Sequence, residues 1–130
     1  MARREFSPDF RTFINKNINS VEQIEVLLIL HANPERVWTV DEISAIMRSS
    51  PNSIRARLDL LAARKMAHAV ADEGFRYAAS GRLHEMVEVL QQEYGERRFS
   101  VIELIFSRPD AARSFADAFR LRDEGDVDNR

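Results

Sequence analysis

Residues 39–77 constrain the fold more than any other stretch of the chain. Thr39-Val40-Asp41-Glu42 has the form of a capping box. The Thr39 side chain can accept from the backbone N–H of Glu42 while the Glu42 carboxylate reaches back to the Thr39 N–H. Ile43, Ile46 and Met47 then supply the apolar face of a short helix. Ser49-Ser50-Pro51 ends that helix and begins another, with Ser50 as N-cap and Pro51 at the first helical position, where its missing N–H costs nothing. Ile54, Leu58 and Leu61 follow at spacings of four and three, one face of a second helix over 51–65. Met66 to Ala71 and Phe75 to Ala78 predict two short strands around the turn Asp72-Glu73-Gly74. Two helices across a tight turn, followed at once by a hairpin, are the local architecture expected.

In that order of elements the chain resembles the winged helix-turn-helix superfamily of small bacterial transcription regulators, the MarR-like, ArsR-like and PadR-like proteins. The resemblance is carried by Thr39-Val40-Asp41-Glu42-Ile43-Ser44-Ala45-Ile46 and by Ser53-Ile54-Arg55-Ala56-Arg57-Leu58-Asp59-Leu60-Leu61. These blocks are similar to the family's second helix with its Glu-Ile/Leu-Ala core and to a recognition helix ending in Leu-x-x-Leu. With Ser20 to Leu30 as the first helix, the similarity spans roughly half the chain and speaks to fold more securely than to function. It implies a mainly α fold with one small β-hairpin, an added N-terminal helix, a long C-terminal helix and a short terminal helix.

Composition narrows the classes. The chain has 130 residues, 45% of them hydrophobic, which fits one domain with its own core. A net charge of −2 argues against holding nucleic acid by overall charge, so any such binding must rest on a local patch. The absence of cysteine removes disulfides, thiolate metal sites and cysteine nucleophiles, and fits a reducing cytoplasm. Arg3 and Arg4 are followed by no apolar run of signal-peptide or membrane-spanning length, so a cytoplasmic protein without membrane association is expected.

Around the central block, residues 1–19 read as an N-terminal helical extension, 20–79 as the winged-helix domain, 80–122 as a long helix followed by a terminal helix, and 123–130 as a flexible acidic tail. Ser7-Pro8 opens the first helix, with Phe10, Phe13 and Ile14 on one face and Asn15 to Asn19 breaking it. Ser20-Val21-Glu22-Gln23 is a second capping-box pattern. Arg82 to about Ser107 reads as one long helix with a near-heptad stripe interrupted at Arg97, its middle weakened by Gly95. Leu83, Val87, Leu90, Tyr94, Val101, Ile102, Ile105 and Phe106, with Phe115 and Phe119 on the terminal helix, form the expected dimerisation set, because the later part is apolar nearly all round. Phe10, Phe13, Phe115 and Phe119 could also line an effector pocket, although core packing is the simpler reading of aromatic residues at helical spacing.

For nucleic acid, residues 48–65 carry Arg48, Arg55, Arg57, Arg64 and Lys65 against Asp59 alone, a local charge of +4. In the family this resemblance names, the start of the recognition helix enters the major groove, here offering Asn52, Ser53, Arg55 and Ala56. Asn can bond adenine bidentately and Arg can bond guanine, while Arg48, Arg64 and Lys65 are placed for phosphates. The stripe opposite the apolar face runs through Asn52, Ala56, Asp59 and Ala63, so Asp59 could accept from cytosine or repel phosphates. The wing tip Asp72-Glu73-Gly74 is acidic where DNA-reading relatives often carry a cation, which leaves Arg76 on the return strand for that work.

Enzymatic readings are weak. His84-Glu85-Met86-Val87-Glu88 has the outline of a zinc-hydrolase helix, but its second His is Glu88, no third ligand is evident and the other histidines are His31 and His68, so neither metal nor cofactor is expected. Ser49, Ser50 and Ser53 read as caps, and the four glycines are isolated, with no phosphate loop. The expected protein is a non-catalytic homodimeric regulator binding palindromic duplex DNA through helix 51–65. The rival is a winged helix that docks a protein partner through Asp59 and the acidic wing.

Overall fold

The computed structural model describes residues 5–107. The expected terminal helix from Pro109, with Phe115 and Phe119, and the acidic tail lie outside that range. The described chain runs α1 (Pro8–Asn17), α2 (Val21–Ala32), α3 (Val40–Met47), α4 (Pro51–Ala63), β1 (Ala67–Val70), β2 (Gly74–Tyr77), α5 (Gly81–Glu96) and α6 (Arg98–Ser107).

Caps set most of these boundaries. Ser7, Ser20, Thr39 and Ser50 each accept a backbone N–H from three residues on, at 3.0–3.2 Å. Only Thr39 completes a reciprocal box, its own N–H donating to Glu42 Oε1 at 2.9 Å. The pattern expected at Ser20 closes differently. Gln23 is fully buried, and its amide accepts from the Asn19 N–H at 2.7 Å and donates to the Asn17 carbonyl at 2.6 Å, tying the α1–α2 junction together.

Ile54, Leu58 and Leu61 of α4 are fully buried with Ile24 and Leu27 of α2 and Ile43 of α3. Leu28 of α2 is only half-buried beside them, and Ile46, expected on the apolar face of α3, is 57% exposed. The reason is angular. At about 100° per residue, Ile43, Met47 and Ser44 span one arc, and Ile46 falls about 60° outside its edge. Ser44 occupies the inward position instead, its hydroxyl donating to the Ser49 carbonyl.

β1 and β2 pair antiparallel, Ala67 opposite Tyr77 and Val70 opposite Gly74. A third segment joins them: the Trp38 N–H donates to the Phe75 carbonyl at 2.7 Å and the Phe75 N–H returns to the Trp38 carbonyl at 2.8 Å. Gly74 (φ 139°) makes this approach feasible, since a Cβ there would lie 2.1 Å from the Trp38 carbonyl oxygen. The hairpin is therefore fastened to the residue just before the α3 cap.

The single helix expected over 82–107 is divided. Arg97 leaves the helical region (φ −135°, ψ 55°), and α6 turns back to pack on α5 and α1. The turn buries Val101, Leu104 and Ile105 in the chain's own core. Arg97 fixes the corner, with its Nε donating to Glu93 Oε1 at 3.0 Å and its guanidinium 4.1 Å from the Phe6 ring centroid. The interruption of the apolar stripe at Arg97 marks this corner, and Gly95 stays within α5.

Candidate nucleic-acid interface

Helix α4 is presented by its two ends. Arg48 takes a left-handed conformation (φ 55°) that reverses the chain after α3, and Lys65 (φ 66°) does the same after α4. At the start, Ser50 and Pro51 leave the first turn open to solvent with no acidic side chain in it. A helix N-terminus attracts anions, and carboxylates from other elements approach this one. Asn52, Ala56, Asp59 and Ala63 are all exposed, opposite the buried Ile54, Leu58 and Leu61.

The cations divide into two groups. Arg48, Arg55, Arg64, Lys65 and Arg76 are exposed, and among the described residues none of them pairs with a carboxylate. Arg55 leans toward the hairpin, its guanidinium 5.9 Å from the Phe75 ring centroid. Arg76 projects from the hairpin opposite His68.

Arg57 and Ser53, expected at the outward surface, are both turned to Glu22 of α2. Arg57 Nε donates to Glu22 Oε1 at 3.0 Å, the Ser53 hydroxyl donates to the same oxygen, and the Ser49 hydroxyl donates to Oε2 at 2.5 Å. Bonds from Ser49 and then Ser53 hold this carboxyl below its ordinary value of 4.5 against the opposing effect of burial, and Arg57 adds a smaller lowering. From the sequence, the alternative to nucleic-acid contact is that the basic helix balances acidic neighbours such as Glu22, Glu25, Asp41 and Glu42. For Arg57 the structure shows such a pairing with Glu22, which lies 27 to 35 residues from its three partners.

Between the start of α4 and the hairpin lies a cleft of about 500 Å³, bordered by Thr39, Asp41, Asn52, Arg55, Asp72, Glu73 and Phe75 among others. Three carboxylates face one cation there. The acidic turn noticed in the sequence is thus joined by Asp41 from the first turn of α3.

The expected dimer residues sort by burial. Val87, Leu90, Tyr94, Val101 and Ile105 are in the chain's own core, with Leu83 and Ile102 half-buried against it. Tyr94 is further committed by donating to Glu25 Oε2 at 2.7 Å; burial, then that contact, push its hydroxyl up to about 12. These side chains are consumed because α6 folds back at Arg97. Phe106 remains 66% exposed, and Phe99, absent from the expected set, is 81% exposed on the same face of α6.

Solved structures share this order of helices and hairpin. MepR of Staphylococcus aureus, a transcription regulator of the multidrug efflux pump MepA, is 14% identical over 88% of this chain and 86% of that one, with a TM-score of 0.50. A point mutant of the same regulator from a multidrug-resistant clinical isolate superposes over 89% of this chain and 86% of that one at 14% identity and a TM-score of 0.51.

The chain has the winged helix-turn-helix fold.

In this winged helix α3 and α4 are the helix-turn-helix, the β1–β2 hairpin is the wing, and α1, α5 and α6 pack together beside them. No family model and no curated protein matches the chain. No helix among the described residues is long and apolar enough to cross a membrane.

Proposed function

We propose that this winged helix is a cytoplasmic, non-catalytic transcription regulator of the bacterial type that binds duplex DNA as a homodimer, with the start of α4 in the major groove. The observation that carries the reading is the set of five exposed cations, Arg48, Arg55, Arg64, Lys65 and Arg76, without carboxylate partners among the described residues, around an open helix N-terminus. Asn52, Arg55 and Ala56 are the base-edge candidates, and Arg48, Arg64, Lys65 and Arg76 the phosphate candidates. Ser53 and Arg57 act through Glu22, which sets the seating of α4 on α2. The MepR structures, described as those of a transcription regulator, support the same class.

The dimer would use Phe99, Ile102 and Phe106, which share one stripe of α6, together with Phe115 and Phe119. Two copies of α4 would then address half-sites about one helical turn apart, which calls for a palindromic operator. Fluorescence anisotropy with random and genomic-fragment duplexes at several salt concentrations tests the reading. Binding should weaken steeply as salt rises. No binding at low salt would reject it.

A second reading is favoured by one observation, the cleft that Asp41, Asp72 and Glu73 make acidic beside α4. There the winged helix would dock a basic protein segment instead of DNA. Loss of DNA binding with retention of a basic partner would select it.

A further inference from the structure

We infer that His31, His84 and Glu88 form a binding site for a divalent transition-metal ion of the Zn²⁺ class, bridging α2 and α5 beside the wing. One ligand atom from each of the three lies within 4.8 Å of the other two. Around a tetrahedral ion with bonds of about 2.0–2.1 Å, ligand atoms sit roughly 3.3 Å apart, so a contraction of about 1.5 Å at most brings the three onto one ion. His84 and Glu88 are one turn apart on α5, and the third ligand comes from α2, 57 residues from Glu88 along the chain.

The surroundings fit an ion in three ways. His31 Nε2 already lies 2.5 Å from Glu88 Oε2, so an ion would take the place of the proton shared between them. The Tyr77 hydroxyl is 2.8 Å from His84 Nδ1, the kind of outer contact that holds a ligating imidazole in orientation and leaves its second nitrogen to the metal. The rings of His31, Tyr77 and His84 are mutually in contact, with centroids 5.3–6.0 Å apart, which limits how far the ligands can wander.

Access is also present: His31 and His84 are half-buried, whereas the Glu88 side chain is 53% exposed and opens the cluster to solvent. Two imidazoles and one carboxylate select borderline ions such as Zn²⁺ and Co²⁺ over Mg²⁺ or Ca²⁺, which prefer an all-oxygen shell. Water would complete the coordination. Bound there, the ion would fasten α5 to α2 at the foot of β2, which ends in Tyr77.

The test is a titration of the untagged, metal-stripped full chain with Co²⁺, followed by visible absorption, with Zn²⁺ as competitor and isothermal calorimetry for stoichiometry. Saturation at one ion per chain, displaced by Zn²⁺, is expected. E88Q and H84Q, each checked for retained fold by circular dichroism, should weaken binding by more than about tenfold, the loss that removing even an outer partner produces. H68Q, altering the exposed histidine of the wing, should leave it unchanged. Absence of saturable uptake of either ion, or equal affinity in wild type, H84Q and E88Q, would overturn the site. A loss confined to H68Q would overturn it as well.

Discussion

Glu22 and Arg57, thirty-five residues apart, are joined by a 3.0 Å hydrogen bond that turns a cation of α4 inward, onto its own scaffold. The same carboxylate accepts hydrogen bonds from the Ser49 and Ser53 hydroxyls, so one side chain of α2 holds the turn between α3 and α4 and the first two turns of α4. Such an arrangement fixes the angle of α4 on α2 with three bonds to one charged acceptor, stronger individually than neutral pairs.

Glu22 should couple fold stability to acid pH. Its carboxyl titrates below its ordinary value of 4.5 in the folded chain. Its contribution is therefore complete above the unfolded-state value and is lost as pH falls through the lower folded-state one. Urea unfolding of wild type and E22Q should diverge above about pH 5 and converge in stronger acid. Parallel curves at every pH would show that the carboxylate stabilises nothing.

G74A should detach the wing. The added methyl would meet the Trp38 carbonyl at 2.1 Å, on a backbone conformation that side chains disfavour. A cost on the order of 2–3 kcal/mol is expected. Hydrogen exchange should show protection lost first at the Trp38 and Phe75 amides, with the α4 amides largely retained.

The proposed dimer is best probed at Phe99 and Phe106. F99E and F106E alter exposed positions, so stability of the monomer should change by no more than about 0.5 kcal/mol while sedimentation shifts from dimer to monomer. I105E is a poor probe, because Ile105 is 1% exposed and a carboxylate there would unfold the chain.

On α4, R55A should weaken duplex binding and lower the log-affinity salt slope by about one if its contact is to phosphate. D59N should raise affinity for random duplex by removing an exposed negative charge from the outward stripe, unless Asp59 accepts from a base, in which case selectivity falls. R57A should act differently from R55A, lowering stability more than it lowers the salt slope. Equal effects of R55A and R57A on the slope would place both arginines on DNA.

What was legible in the sequence follows the range of the interactions concerned. Thr39, Glu42, Ser50 and Pro51 cap their helices through contacts three residues long, and the alternation around Gly74 marks the hairpin directly, so the helix-turn-helix and wing were visible. The inward position of Ser44 in place of Ile46 was not, because the apolar pattern alone does not say where α2 and α4 centre the buried arc. Nor were the Glu22 cluster and the approach of His31 to Glu88, which exist only once helices far apart in the chain are packed. The break at Arg97 showed as a gap in a stripe, yet whether such a gap bends a helix or passes through it depends on α1 offering a surface to fold back on.

The backbone bridge between Trp38 and Phe75 sets where this protein can change. Because β2 is stitched at Phe75, close to the turn, to the residue ahead of α3, the turn end of the hairpin is held against the helix-turn-helix, while its Ala67–Tyr77 end leads directly from α4 and towards α5. Asp72 and Glu73 lie just past the last pair, Val70 and Gly74, so their charge can change with the Trp38–Phe75 bonds kept, whereas a change in turn length would shift Gly74 out of its close approach to the Trp38 carbonyl. These two residues are the natural positions at which to exchange acidic side chains for cationic ones while the body of the fold stays as it is.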